Sequence, residues 1–114
     1  MLKTVQKYKP LKGEITIPAD KSISHRAIML ASLAKGESLI NNFSSGADCR
    51  STLNIFKQLG VGVNEISKKT IVIKSDGELK KSFTPLDAGN SGTTTRLIAG
   101  ILAGQNFDSQ IIGE

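Results

Sequence analysis

A helix start that occurs twice, 70 residues apart, constrains the fold of this chain more than any other feature of its sequence. A shift of 70 residues places Arg26 on Arg96 and Ile28 on Ile98. In both copies, a turn of small polar residues leads to an arginine about one turn into an apolar helix. Self-similarity at a fixed period is typical of folds built from repeated supersecondary units. We therefore expect more than one copy of the same unit.

Hydrophobic periodicity and the Gly and Pro positions predict the order of elements around these two helix starts. The predicted order is strand, helix, strand, helix, strand, strand, then strand, helix, strand, which gives an α/β (α+β) fold of about one and a half βαβαββ units. The predicted segments are 13–18, 20–34 (closed by Lys35-Gly36), 37–43, 45–60, 61–66, 70–74, 83–87, 91–103 and 108–112. Because the second unit is incomplete, we expect a fragment of a longer protein.

Composition excludes several classes of protein. At 114 residues the chain is one domain at most, and no apolar run approaches the ~18 residues of a membrane span. The single cysteine, Cys49, allows neither an intrachain disulfide nor a thiolate metal cluster. The N-terminus lacks the apolar region of a signal peptide. We therefore expect a cytoplasmic chain with no metal, no cofactor and no membrane partner.

The net charge of +5 favours anionic partners, which include phosphorylated metabolites as well as nucleic acids. Aromatic residues make up only 4% of the chain, so surfaces on which bases could stack are scarce. We expect no specific nucleic-acid partner, although a basic nucleic-acid-binding module remains the alternative from another functional class.

The first candidate site is the helix start at 20–26. A helix N-terminus presents unpaired N–H groups and a partial positive charge, which favour an anion. Lys21 and Arg26 add cationic side chains, and Ser22 and Ser24 add hydroxyl donors. These residues predict a phosphate or carboxylate cradle. The alternative is an ordinary helix, capped by Asp20 or Ser22, that carries surface cations.

The second candidate site is the turn at 89–96. Gly92 lets a ligand approach the backbone closely, and Asn90 tolerates a left-handed conformation. The run 93–95 consists of three threonines, whose hydroxyls favour a first helical turn over a helix interior. Arg96 follows one turn later. The turn lacks the P-loop pattern, and the alternative interpretation is a tight turn with a Thr-rich cap.

A third helix start, at 44–50, predicts a structural cap rather than a ligand site. Ser45 and Asp48 have the spacing of a capping box, and Asp48 offsets Arg50. Cys49 fits a small buried filler better than a nucleophile. His25 could contact an anion or transfer a proton, but a histidine on the helix surface, or one that supports the site from behind, is the favoured interpretation.

The segments 21–27 and 86–97 closely resemble the two N-terminal signatures of the 5-enolpyruvylshikimate-3-phosphate (EPSP) synthase family, and 46–52 and 59–61 are similar to it as well. The resemblance covers nearly the whole chain. It implies the enolpyruvyl transferase fold, in which two domains of repeated βαβαββ units enclose the active site. Residues 1–19 would belong to the strand that joins the two domains, and 20–114 would form the first unit and the start of the second.

The resemblance implies an enzyme, 3-phosphoshikimate 1-carboxyvinyltransferase of the shikimate pathway. This family transfers the enolpyruvyl group of phosphoenolpyruvate to the 5-hydroxyl of shikimate 3-phosphate and thereby serves aromatic amino acid biosynthesis. Its catalytic carboxylates lie later in the chain, so the 114 residues alone should be inactive. A relative that acts on UDP-N-acetylglucosamine is the alternative. Because that relative has Asn after the matching lysine, Ser22 favours shikimate 3-phosphate. The full-length protein is expected to be a monomer.

The resemblance also implies roles for individual residues. Lys21 would be catalytic and would contact both substrates. Ser22 and Arg26 would hold shikimate 3-phosphate together with Lys21. The phosphoenolpyruvate side would consist of Lys21, Asn90, Gly92 and Thr93, and Arg96 would be a supporting cation behind it. In this family glyphosate occupies the phosphoenolpyruvate site. Ser91 and Leu97 stand where many members have Ala and Pro, which leaves sensitivity to glyphosate open.

Overall fold

The computed structural model describes all 114 residues and contains three helices and five short strands. In chain order these elements are α1 (Lys21–Leu33), β1 (Lys35–Ile40), α2 (Ala47–Gln58), β2 (Gly62–Glu65), β3 (Ile71–Asp76), β4 (Leu86–Asp87), α3 (Gly92–Ala103) and β5 (Ile111–Ile112). From α1 onward, the order of helices and strands agrees with the prediction. None of the helices combines the length and the hydropathy that a membrane span requires.

The strand predicted at Gly13–Pro18 is wrong. Residues 1–20 contain no helix or strand, and Ile15 and Ile17 are 85% and 66% exposed. Alternation of polar and apolar residues describes the two faces of a strand, but a strand also needs a neighbour for its N–H and C=O groups. No strand of this chain pairs with 13–18. The first βαβαββ unit therefore lacks its first strand in this structure.

The main sheet is antiparallel and has the strand order β1-β3-β2. Along the central strand β3, Ile71, Ile73 and Ser75 are buried and alternate with more exposed residues, so one face of the sheet carries the core. β4 and β5 pair in parallel, with Leu86 opposite Ile111. This short pair brings the segment before α3 next to the C-terminal residues.

The core lies between this sheet and the helices. Its 17 buried apolar side chains form one cluster, to which α1 contributes Ile28, α2 contributes Leu53 and Phe56, and α3 contributes Ile98. Apolar residues three and four apart form one face of a helix, which explains why the spacing in the sequence predicted these helices. The helices pack side by side, and their N-terminal ends meet in the region described below.

Several elements are shorter than predicted: α2 is Ala47–Gln58 instead of 45–60, β4 is Leu86–Asp87 instead of 83–87, and β5 is Ile111–Ile112 instead of 108–112. The two ends of β1 differ as well. Lys35-Gly36 was predicted to close α1, but these residues begin β1 and Ala34 caps the helix. Gly36 has a φ of +124°, which favours glycine, but this residue lies in β1 and does not end the helix. β1 ends at Ile40 because Asn42, with a φ of +54°, turns the chain before Phe43.

Candidate functional site

Of the two residues predicted to cap α1, Asp20 and Ser22, Asp20 is the N-cap. Its carboxylate accepts a hydrogen bond from the Ile23 N–H at 2.7 Å. The Ser24 hydroxyl donates to the Asp20 carbonyl at 2.8 Å and accepts from the Ser44 N–H at 3.0 Å. The first turn of α1 is therefore attached to the loop that precedes α2. Ser24 is buried by these contacts, whereas Ser22 remains exposed.

The Lys21 ammonium forms an ion pair with Asp48, in the first turn of α2, at 2.8 Å. The hydrogen bond and the negative charge of Asp48 raise the pKa of Lys21. The hydrogen bond from Lys21 in turn lowers the pKa of Asp48. Both side chains are accessible to solvent, so this pair is one that a ligand could rearrange at modest cost.

The start of α2 does not have the predicted cap. Gly46 occupies the N-cap position and makes no side-chain capping bond, so the capping box of Ser45 and Asp48 is wrong. Asp48 turns toward Lys21 of another helix, and Arg50 pairs with Glu65 of β2 instead. Cys49 is fully buried, as predicted, and burial raises the pKa of its thiol. The acidic residue at this helix start thus serves a contact between helices.

Ser91 caps α3 by accepting a hydrogen bond from the Thr94 N–H at 3.1 Å. The left-handed residue of this turn is Gly89, with a φ of +56°, and not Asn90 as predicted; Asn90 and Gly92 are exposed on the same turn. A cavity of about 170 Å³ lies beside this turn, and Gly92 is part of its lining. The predicted anion-binding turn therefore has both a free surface and a small cavity next to it.

The guanidinium of Arg96 lies over Gly92. A Cβ atom added to Gly92 would be 2.8 Å from Arg96 Nη1, which is closer than van der Waals contact. Arg96 also lines the cavity beside the turn. The structure thus places this cation at the cavity itself, whereas the resemblance implied a supporting position behind it.

His25 is fully buried, which excludes a histidine on the helix surface and leaves the other predicted alternative, a histidine that supports the site from behind. Its Nδ1 lies 2.7 Å from the Thr52 hydroxyl, which lies 2.8 Å from the Thr94 hydroxyl. Burial lowers the pKa of His25; the negative charge of Asp48 opposes this shift, and the positive charge of Lys21 adds to it. A neutral imidazole therefore links α1, through α2, to the capped turn of α3.

The three helix starts meet around Asp48. Its side chain holds Lys21 of α1, and its carbonyl lies 3.4 Å from the Thr94 hydroxyl of α3. Arg26, by contrast, is exposed and lines a separate, mainly apolar groove of about 240 Å³ between α1 and α3. The cavity beside Gly92 is lined by neither Lys21 nor Arg26. The structure brings the turns together, but their functional side chains do not line one shared cavity in this chain.

Sequence reasoning missed two members of this arrangement, Asp48 as the partner of Lys21 and Thr52 as the link to α3. A signal was present. Lys21 and His25 are four residues apart, as are Asp48 and Thr52, and residues with this spacing share one face of a helix. Lys21 pairs with Asp48 and His25 pairs with Thr52. Two residues one turn apart on α1 thus contact two residues one turn apart on α2.

A family model described as EPSP synthase (3-phosphoshikimate 1-carboxyvinyltransferase) matches residues 5–114. A 3-phosphoshikimate 1-carboxyvinyltransferase of Thermodesulfovibrio yellowstonii is 51% identical over 116 aligned residues, which cover 100% of this chain and 27% of that protein. A protein of the same name from Listeria innocua is 48% identical over 115 residues, covering 99% of this chain and 27% of the relative.

The solved structures lead to the same family. The EPSP synthase from Acinetobacter baumannii superposes with a TM-score of 0.84 and 38% sequence identity, covering 90% of this chain and 24% of that one. The chain thus spans about a quarter of the length of the relatives it matches, and the match lies in their N-terminal part.

Proposed function

The chain belongs to the EPSP synthase family, and on that premise we propose that it forms the N-terminal part of an enzyme that makes 5-enolpyruvylshikimate 3-phosphate. In the proposed reaction, the enolpyruvyl group of phosphoenolpyruvate moves to the 5-hydroxyl of shikimate 3-phosphate, and phosphate is released. The observation that carries the proposal is the meeting of three helix starts around Asp48, in a chain that the family model matches almost throughout.

The electrostatics of this region suit two anionic substrates. Helix N-termini carry a partial positive charge, and here three of them lie together. The chain as a whole has a net charge of +5. Bringing two polyanions into contact requires cations and backbone N–H groups that are already in place before the substrates arrive. The convergence of helix starts supports a site of this kind.

Lys21 is the residue to which we assign the catalytic role. A lysine ammonium is charged at neutral pH, and its contact with Asp48 raises the pKa of Lys21 further, so it can neutralise charge that develops between the substrates. In the proposed cycle, a substrate anion competes with Asp48 for this ammonium. Because the pair is exposed to solvent, this exchange needs no rearrangement of the core.

We propose that Ser22 and Arg26 hold shikimate 3-phosphate together with Lys21. Both side chains are exposed at the start of α1, so they are free to contact a ligand that lies outside this chain's core. The planar guanidinium of Arg26 suits bidentate contact with a phosphate. Since Arg26 faces a groove apart from Gly92, we expect the substrate to reach it across the outer face of α1.

We propose that phosphoenolpyruvate binds at the turn before α3, through Asn90, Gly92 and Thr93, with Lys21 as a further contact. Gly92 leaves the backbone of this turn accessible, and the cavity beside it is lined by polar groups that include Arg96 and, in this chain, the acidic Glu114. Arg96 would support this binding from its place over Gly92. We therefore expect a side chain at position 92 to interfere with this binding.

The proposal includes the domain organisation implied by the family. Residues 1–19 would form part of the connection to a second domain, and 20–114 the first unit and the start of the next. The exposure of Ile15 and Ile17, which find no partner within this chain, supports a partner elsewhere in the whole protein. We further propose a monomeric enzyme that works in the cytoplasm, since both substrates are charged metabolites that do not cross a bilayer unaided.

The test uses a joined enzyme, in which residues 1–114 replace the matching N-terminal part of the Thermodesulfovibrio yellowstonii relative. We expect the joined enzyme to release phosphate from the two substrates and the 114-residue chain alone to release none. Lys21→Met should lower kcat/KM by at least about 100-fold, because it removes a charge that acts on the transition state. Lys74→Met, on the exposed side of β3, is the matched control and should leave the rate unchanged.

A titration of the 114-residue chain with shikimate 3-phosphate, followed by amide shifts, complements the kinetics. The largest shifts should occur at Lys21, Ser22 and Arg26. A joined enzyme that unfolds cooperatively, yet neither turns over the substrates nor binds shikimate 3-phosphate, would contradict the proposal. Full activity in Lys21→Met would contradict the role assigned to this residue.

A further inference from the structure

A continuous chain of buried hydrogen bonds runs from α1 to the capped turn of α3. His25 Nδ1 contacts the Thr52 hydroxyl, Thr52 contacts the Thr94 hydroxyl, and Thr94 contacts both the Ser91 hydroxyl at 2.7 Å and the Asp48 carbonyl at 3.4 Å. All four side chains in this series are at most 3% exposed. The roles proposed for the neighbouring Lys21 and Gly92 make no use of it.

Counting protons gives the series a direction. A carbonyl only accepts, so the Thr94 hydroxyl donates to Asp48 and must accept from both Thr52 and Ser91. Thr52 then has no proton left for His25, and it must accept from Nδ1–H. This order uses each hydroxyl proton once. It leaves His25 Nε2, which is buried without a hydrogen-bond partner, as an unprotonated nitrogen.

The reverse order satisfies fewer contacts. If Thr52 donated to His25, Thr94 would have to donate to Thr52 and the Asp48 carbonyl would lose its bond. Nε2 would then carry a buried proton with no acceptor. A buried donor without a partner costs about 1–3 kcal/mol in general, which favours the first order. The imidazole is neutral in either case, because burial lowers the pKa of His25.

The position of Thr52 makes it the centre of this series. It lies one turn after Asp48 on α2, and these two residues hold His25 and Lys21, which lie one turn apart on α1. Thr52 also holds Thr94, whose N–H is bound by the cap of α3. A change at Thr52 would therefore alter the position of one helix start relative to the other, without replacing any residue of either anion-binding turn.

We propose that Thr52 is a positioning residue that, by accepting from His25 Nδ1–H and donating to Thr94, holds the first turn of α1 in fixed register with the first turn of α3. The inference rests on the proposed function of those two turns. Its consequence is that the two substrates, each bound to its own turn, are aligned with each other through Thr52. Small errors in such alignment have large effects on the rate of a reaction between two bound molecules.

The first measurement is the tautomer of His25 in the 114-residue chain, from the 15N shifts of the imidazole. We expect the proton on Nδ1 in the parent chain and in Thr52→Ser, which keeps the hydroxyl. Thr52→Val removes the acceptor and should move a substantial fraction of the protons to Nε2. A parent chain with its proton on Nε2, or a Val variant with an unchanged spectrum, would overturn the inference.

The second measurement is the kinetics of the joined enzyme. Thr52→Val should lower kcat about tenfold while each KM changes by less than about twofold, because each turn still binds its substrate but the two are out of register. Thr52→Ser should restore kcat. Ser75→Ala is the matched control: it removes a buried hydroxyl that donates to the Ser32 carbonyl, near the C-terminal end of α1, at 2.7 Å and takes no part in the series. It should lose stability but keep the parent kcat.

The outcomes separate this inference from the proposed function. An inactive parent enzyme counts against the function, and the tautomer measurement still decides the hydrogen-bond order. An active parent with a normal kcat in Thr52→Val overturns the positioning role alone. A fall in kcat that Ser75→Ala reproduces at equal loss of stability also overturns it, since the effect would then be one of general destabilisation.

Discussion

Two glycine substitutions in the same helix should separate stability from binding: one should raise Tm and leave binding unchanged, and the other should weaken binding with little effect on Tm. Gly92 begins α3 at the proposed phosphoenolpyruvate turn, and Gly100 lies two turns further along. Both are exposed, so neither is needed for the core. Replacing each by alanine adds the same methyl group to the same helix, once at the proposed site and once away from it.

The structure gives the magnitude for each substitution. A Cβ atom at Gly100 meets nothing within 4 Å, so Gly100→Ala should gain the full helix propensity of alanine, about 1 kcal/mol, which corresponds to roughly 5 °C in Tm. A Cβ atom at Gly92 would be 2.8 Å from Arg96 Nη1. The exposed Arg96 side chain forms no ion pair and can move aside, so Tm should change by less than about 2 °C.

Binding of phosphoenolpyruvate should be weakened by Gly92→Ala and unaffected by Gly100→Ala. A methyl group on Gly92 displaces an anion from the backbone N–H groups of the turn, and a hydrogen bond to a charged group contributes about 1.5–3 kcal/mol. We therefore expect phosphoenolpyruvate affinity to fall at least about tenfold in Gly92→Ala and to be unchanged in Gly100→Ala. Titrations followed by amide shifts, together with the phosphoenolpyruvate KM of the joined enzyme, measure this. Parent affinity in Gly92→Ala, or an equal loss in both variants, would refute the reasoning.

Three further predictions follow from the same structure. Burial lowers the pKa of His25, the only histidine, so the unfolded chain takes up a proton more readily than the folded chain does. Tm should therefore fall as the pH is lowered from about 7.5 to about 5. Calorimetry of His25→Asn should show a weaker dependence of Tm on pH. Asp48→Asn should lower the pKa of Lys21 toward its ordinary value, as an NMR titration of the Lys21 side chain would record. Deletion of residues 1–18, which are exposed and belong to no helix or strand, should leave Tm within about 2 °C of the parent, and a larger fall would show an unrecognised contact.

The sequence predicted the helices well because their signals are local. In α2, Leu53 and Phe56 recur at helical spacing, and Gly60, with a φ of +90°, directly follows the C-cap Leu59, so the helix ends at Gln58, two residues before the predicted end. The prediction of a strand at 13–18 was wrong because only one of the two requirements of a strand can be seen in its own sequence. Alternation was present, but a strand also needs a partner, and none of the strands in this chain supplies one.

The same distinction applies to the candidate site. Lys21 and Gly92 were identifiable from short motifs, since a cation or a glycine at a helix start has a meaning of its own. The partners of these turns were not. Lys21 finds Asp48 at a sequence separation of 27 residues, and Thr52 finds Thr94 at 42. The spacing of four residues places each pair on one face of its helix, but which face packs against which depends on the tertiary fold, so the sequence offered a hint of these contacts without specifying them.

The spacing within α2 explains how packing converts three separate helix starts into one arrangement. Asp48 and Thr52 lie one turn apart, and so do their partners on α1, Lys21 and His25. A shift of α2 along α1 by one residue would therefore break the ion pair and the buried hydrogen bond together. Because Thr52 also holds Thr94 of α3, that shift would move both anion-binding turns. The register between α1 and α2, rather than either turn alone, is the property on which a reaction between two bound anions would depend.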